Sequence, residues 1–332
     1  MSEFNVAVIG ATGVVGREMI KILEERKFPV KNLFLFASKR TAGETILFNE
    51  QDHKVQELNE DSFNNIDFAL FSAGSDVSKE YAPLAAKKGT IVIDNSSAFR
   101  MDSHVPLIVP EVNPIEVSKH NGIIANPNCS TIQMVVALKP ILDEVGIERI
   151  IVSTYQSVSG TGKNAINELR EQSEQILKNQ KITRNVYPHQ IAFNVLPHID
   201  VFEDNAYTKE EMKLIHETKK IFGEPKIRIT ATAVRVPVFH GHSESIYLET
   251  KKHISIKSLK KILINSKGIK LIDDISNCKY PLAIMSEIYD DVMVGRLRKD
   301  LTEPNGINMW IVANNLRKGA ALNAIQIAEL LI

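Results

Sequence analysis

This sequence predicts a doubly wound parallel sheet followed by an α+β region with a mixed sheet. Three observations lead there. Short apolar runs alternate with helical stretches through the first half of the chain. A glycine-rich turn joins the first of those runs to the first helix. Beyond Cys129 the alternation gives way to β-branched runs separated by long helical segments. Alternation implies parallel strands with helical crossovers; its loss implies a different layer arrangement.

The elements follow in order. Val6-Ala7-Val8-Ile9 is a short apolar run, as a buried parallel strand requires. Residues 17–25 read as a helix, with Met19, Ile20, Ile22 and Leu23 able to face a sheet. Strands are expected at 33–37, 66–72, 90–94 and 122–125, with a helix over 81–88. In the second half, strands are expected at 150–156, 227–236 and 243–250, and helices at 163–180 and 208–222. Residues 316–331 read as helical and apolar on one side, and should return to the first domain. The expected domains are therefore 1–128 with 315–332, and 129–314.

Composition narrows the function. The 332 residues carry 40 Lys+Arg and 40 Asp+Glu, so net charge is zero and nothing asks for nucleic acid or a membrane surface as partner. The two cysteines, Cys129 and Cys278, imply no disulfide framework and fit a reducing compartment. Met1-Ser2-Glu3-Phe4-Asn5 lacks the layout of an export signal, and no apolar run approaches the ~20 residues of a membrane span. A cytoplasmic location is the expectation.

Gly10-Ala11-Thr12-Gly13-Val14-Val15-Gly16 links the first strand to the first helix. Glycine lets backbone N–H groups approach a pyrophosphate, and the helix start favours its charge. The spacing is a variant of the dinucleotide fingerprint of a Rossmann-type sheet; the alternative is a tight turn needing glycine for backbone reasons alone. An NAD enzyme would end its second strand with an acid for the ribose 2′-hydroxyl. Here stand Ala37-Ser38-Lys39-Arg40-Thr41, with no carboxylate. Ser38, Arg40 and Thr41 suit a 2′-phosphate, so the cofactor reading is NADP(H), against a merely solvated basic loop.

Asn126-Pro127-Asn128-Cys129-Ser130-Thr131 lies between an apolar strand and the run 132–138. Pro127 should stop the strand, leaving Cys129 at a helix N-terminus where the dipole favours thiolate. Such a thiolate can attack an activated acyl group or an aldehyde. The alternative is an ordinary buried cysteine. Cys278 has no evident partner and reads as structural. His242, in Phe239-His240-Gly241-His242-Ser243, is presented from a glycine-containing turn and suits general acid/base work. His240 and His242 lack a third ligand at sensible spacing, so no metal is expected. Arg235 sits in an apolar strand and needs an anion, from substrate or from a protein carboxylate. Thr208-Lys209-Glu210-Glu211 has the pattern of a capping box, which would occupy Glu211 and leave Glu210 free.

Pro127-Asn128-Cys129-Ser130-Thr131, with Gly10-Ala11-Thr12-Gly13 upstream, resembles the aspartate-semialdehyde dehydrogenase family. The likeness runs nearly the whole chain, through Asp94-Asn95-Ser96-Ser97-Ala98-Phe99-Arg100, Val109-Pro110-Glu111-Val112-Asn113, Ser153-Thr154-Tyr155-Gln156, Arg235-Val236-Pro237 and His242-Ser243-Glu244. The resemblance implies an NADP-binding domain plus a catalytic and dimerisation domain. It implies interconversion of L-aspartyl-4-phosphate and L-aspartate-4-semialdehyde through a Cys129 thioester, in biosynthesis of lysine, diaminopimelate, threonine, methionine and isoleucine. It implies roles residue by residue: His242 as acid/base, Gln156 as orienting amide, and Asn128 beside the oxyanion. Arg100 and Lys213 would serve as phosphate ligands, Arg235 as carboxylate ligand and Glu210 as ammonium ligand, with Glu211 the competitor for that last role. Gly10, Ala11, Thr12, Gly13, Val14, Ser159, Gly160, Pro188 and Asn315 would bind cofactor. It implies a homodimer or homotetramer.

Three other readings stay open. N-acetyl-γ-glutamyl-phosphate reductase shares the acyl-phosphate chemistry but has no use for a carboxylate at Glu210. A glyceraldehyde-phosphate type of dehydrogenase conflicts with the basic loop after the second strand. A non-catalytic NADP-binding regulator conflicts with the pairing of Cys129 and His242.

Overall fold

The computed structural model describes residues 2–332. The chain forms two compact units, residues 1–128 with 319–332, and residues 129–318.

Unit 1 is built on a seven-stranded sheet. Its strands are β1 (Phe4–Ile9), β2 (Val30–Ala37), β3 (Thr45–Phe48), β4 (Gln51–Glu57), β5 (Phe68–Phe71), β6 (Ile91–Asp94) and β7 (Ile123–Ala125), in spatial order β3-β4-β2-β1-β5-β6-β7. Every neighbouring pair is parallel except the β3–β4 hairpin at the edge. Alternation along β1 explains why the strand is apolar throughout. Val6 and Val8 pack with helix α1 (Val14–Glu25) and helix α7 (Leu322–Glu329) in one core. Ala7 and Ile9 pack with Ala82 and Ala85 of helix α2 (Ser75–Lys87) in the other. A sheet buried on both faces has no polar side to spare.

Unit 2 carries a six-stranded mixed sheet, order β11-β12-β13-β10-β8-β9. Its strands are β8 (Ile147–Gln156), β9 (Arg228–Arg235), β10 (His242–Thr250), β11 (Ile269–Leu271), β12 (Val292–Lys299) and β13 (Gly306–Ala313). Helices α3 (Cys129–Val145), α5 (Lys209–Phe222) and α6 (Ile256–Ile264) pack on the sheet, and α4 (Lys163–Leu177) has a small apolar core of its own. The central helix α3 is buried almost all round, as its run Ile132 to Leu138 requires. Away from the helices, Tyr155, Ser243, Ser245, Arg296 and Trp310 line a groove of about 600 Å³.

The structure corrects the expected elements in several places. The first helix begins at Val14 rather than residue 17, so the glycine turn runs straight into it. The second begins at Ser75, because Gly74 at φ +91° turns the chain there. The hairpin β3–β4 and the strands β11, β12 and β13 were not anticipated. Residues 316–331 are not one helix: a π-helical turn at Arg317–Ala321 precedes α7. The helix expected over 163–180 stops at Leu177. Among the described residues no helix is long and apolar enough to cross a membrane, and no group of three His, Cys, Asp or Glu could hold a metal ion.

Candidate active site

In unit 1 the glycine turn and the loop after β2 face one pocket of about 380 Å³. Gly10 has φ +83°, and a Cβ there would meet the Ser72 carbonyl oxygen at 2.6 Å. A Cβ on Gly16 would lie 2.2 Å from the Gly10 oxygen, so the helix can approach the turn only without one. Gly13 caps α1 with no side-chain acceptor, which leaves the first-turn N–H groups for an anion. Thr12 Oγ1 and Thr41 Oγ1 are 3.0 Å apart and tie the turn to the basic loop. Ser38, Lys39, Arg40 and Thr41 line the pocket, and neither Lys39 nor Arg40 has an ion-pair partner among the described residues. These residues fit a dinucleotide with a 2′-phosphate. The pocket also holds one acid that the sequence did not place there, Glu57, from the end of β4 rather than β2.

Arg100 is buried in the same unit, and its Nη2 donates to the Asn95 carbonyl at 2.9 Å. The turn that carries it is shaped by Asp94, which accepts from Ser78 Oγ at 2.7 Å, Ser96 N at 2.9 Å and Ser96 Oγ at 2.8 Å. Asn126 donates to Asn95 Oδ1 at 2.7 Å and accepts from Asn323 Nδ2 at 2.7 Å, which fixes the segment leading to Asn128.

In unit 2, three neighbouring strand ends present Gln156 (β8), Arg235 (β9) and His242 (β10) on the helix-covered face. Gln156 pairs with Arg235 in register, and Ser243 with Tyr155. His242 is fully buried. Its Nδ1 accepts from the Ser157 backbone N–H at 3.1 Å, with Ser157 Oγ also at 3.1 Å. That assigns the ring hydrogen to Nε2, a buried atom with no protein partner. Burial, and then the Arg235 guanidinium, push the His242 pKa down to about 3 against an opposing pull from Glu210.

Arg235 Nη1 donates to the Ser157 carbonyl at 2.7 Å, while its Nε is buried without a partner. Its protein contact is therefore a carbonyl, not the carboxylate that was one of two readings. A Cβ on Gly160 would lie 3.1 Å from both Arg235 Nη1 and His242 Nε2, so the 157–160 turn rests directly on both groups. Asn315 holds that turn. Its Oδ1 accepts from Gly241 N at 3.0 Å and from Ser157 and Ser159 hydroxyls at 3.2 Å, and its Nδ2 donates to Ser159 Oγ at 3.0 Å.

The capping box separates the two glutamates. Glu211 Oε2 accepts from Thr208 N at 2.7 Å and Oε1 from Ala233 N at 2.9 Å, so it serves the fold. Glu210 faces the strand ends instead: Oε1 accepts from Gln156 Nε2 at 3.1 Å and Oε2 from Lys213 Nζ at 3.1 Å. Lys213 also donates to Asp200 at 2.9 Å. Burial works to lower its proton affinity, but Glu210 and Asp200 together raise it. Cys129 is half-buried as the first residue of α3, directly after buried Asn128. The backbone N–H groups of the first helical turn are thus at hand for an oxyanion.

Two families of domain match this chain: one described as semialdehyde dehydrogenase, NAD binding domain, over residues 5–120, the other as semialdehyde dehydrogenase, dimerisation domain, over residues 138–318. The aspartate-semialdehyde dehydrogenase of Aquifex aeolicus is 56% identical, over 99% of this chain and 98% of its own. The chain belongs to the aspartate-semialdehyde dehydrogenase family. Its fold superposes on aspartate semialdehyde dehydrogenase II of Vibrio cholerae complexed with ASA, TM-score 0.97 and 50% identity, covering 100% of this chain and 98% of that one. It also matches the aspartate semialdehyde dehydrogenase of Candida albicans with NADP, TM-score 0.79 and 27% identity, covering 99% and 98%.

Within this member of the aspartate-semialdehyde dehydrogenase family, unit 2 brings together His242, Arg235, Gln156, Glu210, Lys213, Ser159, Gly160 and Asn315. Pro188 lies on the irregular segment after α4, its carbonyl accepting from Arg184 at 3.2 Å. Sequence reasoning missed Ser157, which orients His242 and Arg235 together, and Asp200, which holds Lys213. Both sit in loops, where no periodicity marks them. It also passed over Glu244 as chemistry. Both Glu244 oxygens are buried on β10 without a partner, and burial raises the pKa well above the usual carboxylate value. Gln133 of α3 faces this carboxyl and pulls the other way, without a well-formed hydrogen bond to either oxygen.

Proposed function

We propose that this chain reduces L-aspartyl-4-phosphate to L-aspartate-4-semialdehyde with NADPH, and runs the reverse phosphorylating oxidation, with unit 1 as cofactor domain and unit 2 as catalytic domain. The observation that carries the reading is Arg235: a buried guanidinium with an unsatisfied Nε, beside a neutral His242, on the covered face of the sheet that α3, the helix begun by Cys129, packs against. A substrate carboxylate supplies the missing anion through a two-pronged contact.

The chain's own groups divide the work. Cys129 sulfur attacks the acyl carbon; the C–S bond forms as the C–O bond to phosphate breaks, giving a thioester. NADPH, when bound, supplies the hydride that reduces this thioester. The resulting oxyanion takes a hydrogen bond from His242 Nε2–H, the hydrogen that the Ser157–Nδ1 contact assigns there. Collapse re-forms the carbonyl, breaks C–S and returns the electron pair to Cys129 sulfur, so atoms and charge balance. Gln156 orients the substrate and Glu210 meets its ammonium, which disfavours an N-acetylated substrate. Arg100 and Lys213 receive the phosphate. The uncovered groove of unit 2 supports pairing of two copies into a homodimer.

The deciding assay is phosphate-dependent reduction of NADP+ with aspartate semialdehyde, run beside N-acetylglutamate semialdehyde. Turnover of the first alone is expected, with Cys129→Ala inactive but still binding NADPH. Preference for the acetylated aldehyde, or activity without Cys129, would overturn the reading.

A further inference from the structure

Glu168 lies on α4, outside the residues assigned to the reaction, yet it is only 4% exposed. It has no ion-pair partner among the described residues. Its carboxylate instead collects three consecutive backbone donors, Asn185 N at 2.6 Å, Val186 N at 2.5 Å and Tyr187 N at 3.3 Å, plus Gln172 Nε2 at 3.2 Å. One turn on, buried Gln172 accepts from Ile191 N at 3.0 Å and Ala192 N at 3.2 Å and donates to the Thr183 carbonyl at 2.9 Å. The segment 183–192 belongs to no helix or sheet, so no ladder satisfies its backbone; two side chains of α4 do so instead. A carboxylate is the acceptor-only side chain suited to such a row of donors.

This clamp closes a ring. The 157–160 turn leads through Gly162 into α4, and α4 holds the irregular segment. That segment then returns to the turn, where Tyr187 OH meets Thr161 Oγ1 at 2.9 Å. Val158, Ala165, Leu169, Ile191, Ala192 and Leu196 pack inside the ring as a separate core. The ring thus fixes Pro188 and the Ser159-Gly160 turn as one body, and Gly160 is the residue that rests on His242 and Arg235.

We propose that Glu168 is a positioning residue for the nicotinamide end of the cofactor site, acting by pinning the 185–188 backbone against Thr161. The inference rests on the reading of Ser159, Gly160 and Pro188 as cofactor-binding. Glu168→Gln keeps the shape but turns one acceptor oxygen into a donor. Whichever way the amide lies, it then faces N–H groups already present.

The test compares NADPH affinity, read from nicotinamide fluorescence, with steady-state constants in the full-length protein. For Glu168→Gln the Kd for NADPH and the KM for NADP+ should rise about 10-fold, with the KM for aspartate semialdehyde within about twofold. The rate of Cys129 alkylation by iodoacetamide should be unchanged. Tyr187→Phe removes only the ring-closing contact and should raise the NADPH Kd about threefold. Wild-type NADPH affinity in Glu168→Gln, or loss of kcat and both affinities in step with a lowered Tm, would overturn the proposal. Should Glu168→Gln fail to fold, Tyr187→Phe decides, and an unchanged Kd overturns it. Failure of the wild-type protein itself to bind NADPH would overturn the cofactor reading beneath it.

Discussion

At Gly160 a single added carbon separates two accounts of the 157–160 turn. The Cβ of Gly160→Ala would press at 3.1 Å on both Arg235 Nη1 and His242 Nε2. If the turn sets those two groups, kcat/KM should fall about 10-fold with the Tm unmoved. His242 gives a second prediction at this scale. Its contribution to stability is complete above pH 6.5, where the unfolded ring is neutral too, and is lost as pH falls toward its folded value of about 3. Between pH 7 and pH 5 this one group should cost the wild type up to about 2 kcal/mol that His242→Asn does not lose, measured by urea unfolding. Cys129 and His242 were legible in the sequence because each stands in a compact motif with its own local logic. Ser157, Asp200 and Glu168 were not, because each acts on a partner brought near only by the fold, 85 residues away for Ser157 and His242.

Single elements carry opposed duties. Along β10, His242 and Glu244 share the covered face, and their proton demands run in opposite directions. Glu244 holds its proton more tightly folded than unfolded, so its contribution is complete below about pH 4.5 and lost as pH rises. Glu244→Gln should therefore stabilise the protein at pH 8, with the gain shrinking toward pH 5. Unfolding curves at the two pH values decide it. Helix α5 divides its first turn in the same way. Glu211→Ala strands the Thr208 and Ala233 N–H groups and should cost about 2 kcal/mol or more of stability. Glu210→Gln should leave the Tm alone and raise the KM for aspartate semialdehyde about 10-fold. The capping box was readable from spacing. The hairpin β3–β4 was not, being polar and exposed over most of its length. Strand β12 hid behind an irregularity between Gly295 and Arg298, with Arg296 at φ +55°, which breaks the alternation a strand is read by.

For the whole molecule, the first half was the more legible, because a sheet buried on both faces writes itself as uninterrupted apolar runs. A mixed sheet covered on one side leaves weaker marks. The path of the chain was readable only in outline: residues 319–332 complete unit 1, where Leu322, Ile325 and Ala328 join the core shared by α1 and β1. Removing residues 319–332 should expose that core, with strong binding of a hydrophobic dye and loss of NADPH binding, while the far-UV spectrum keeps most of its strand signal.

The same stitching of one unit from both ends of the chain bears on how the protein is made. A ribosome lays down the parallel sheet first and the helix that seals it last. The nascent chain must therefore carry an unsealed apolar sheet throughout translation of unit 2. That interval is when a chaperone would find its grip.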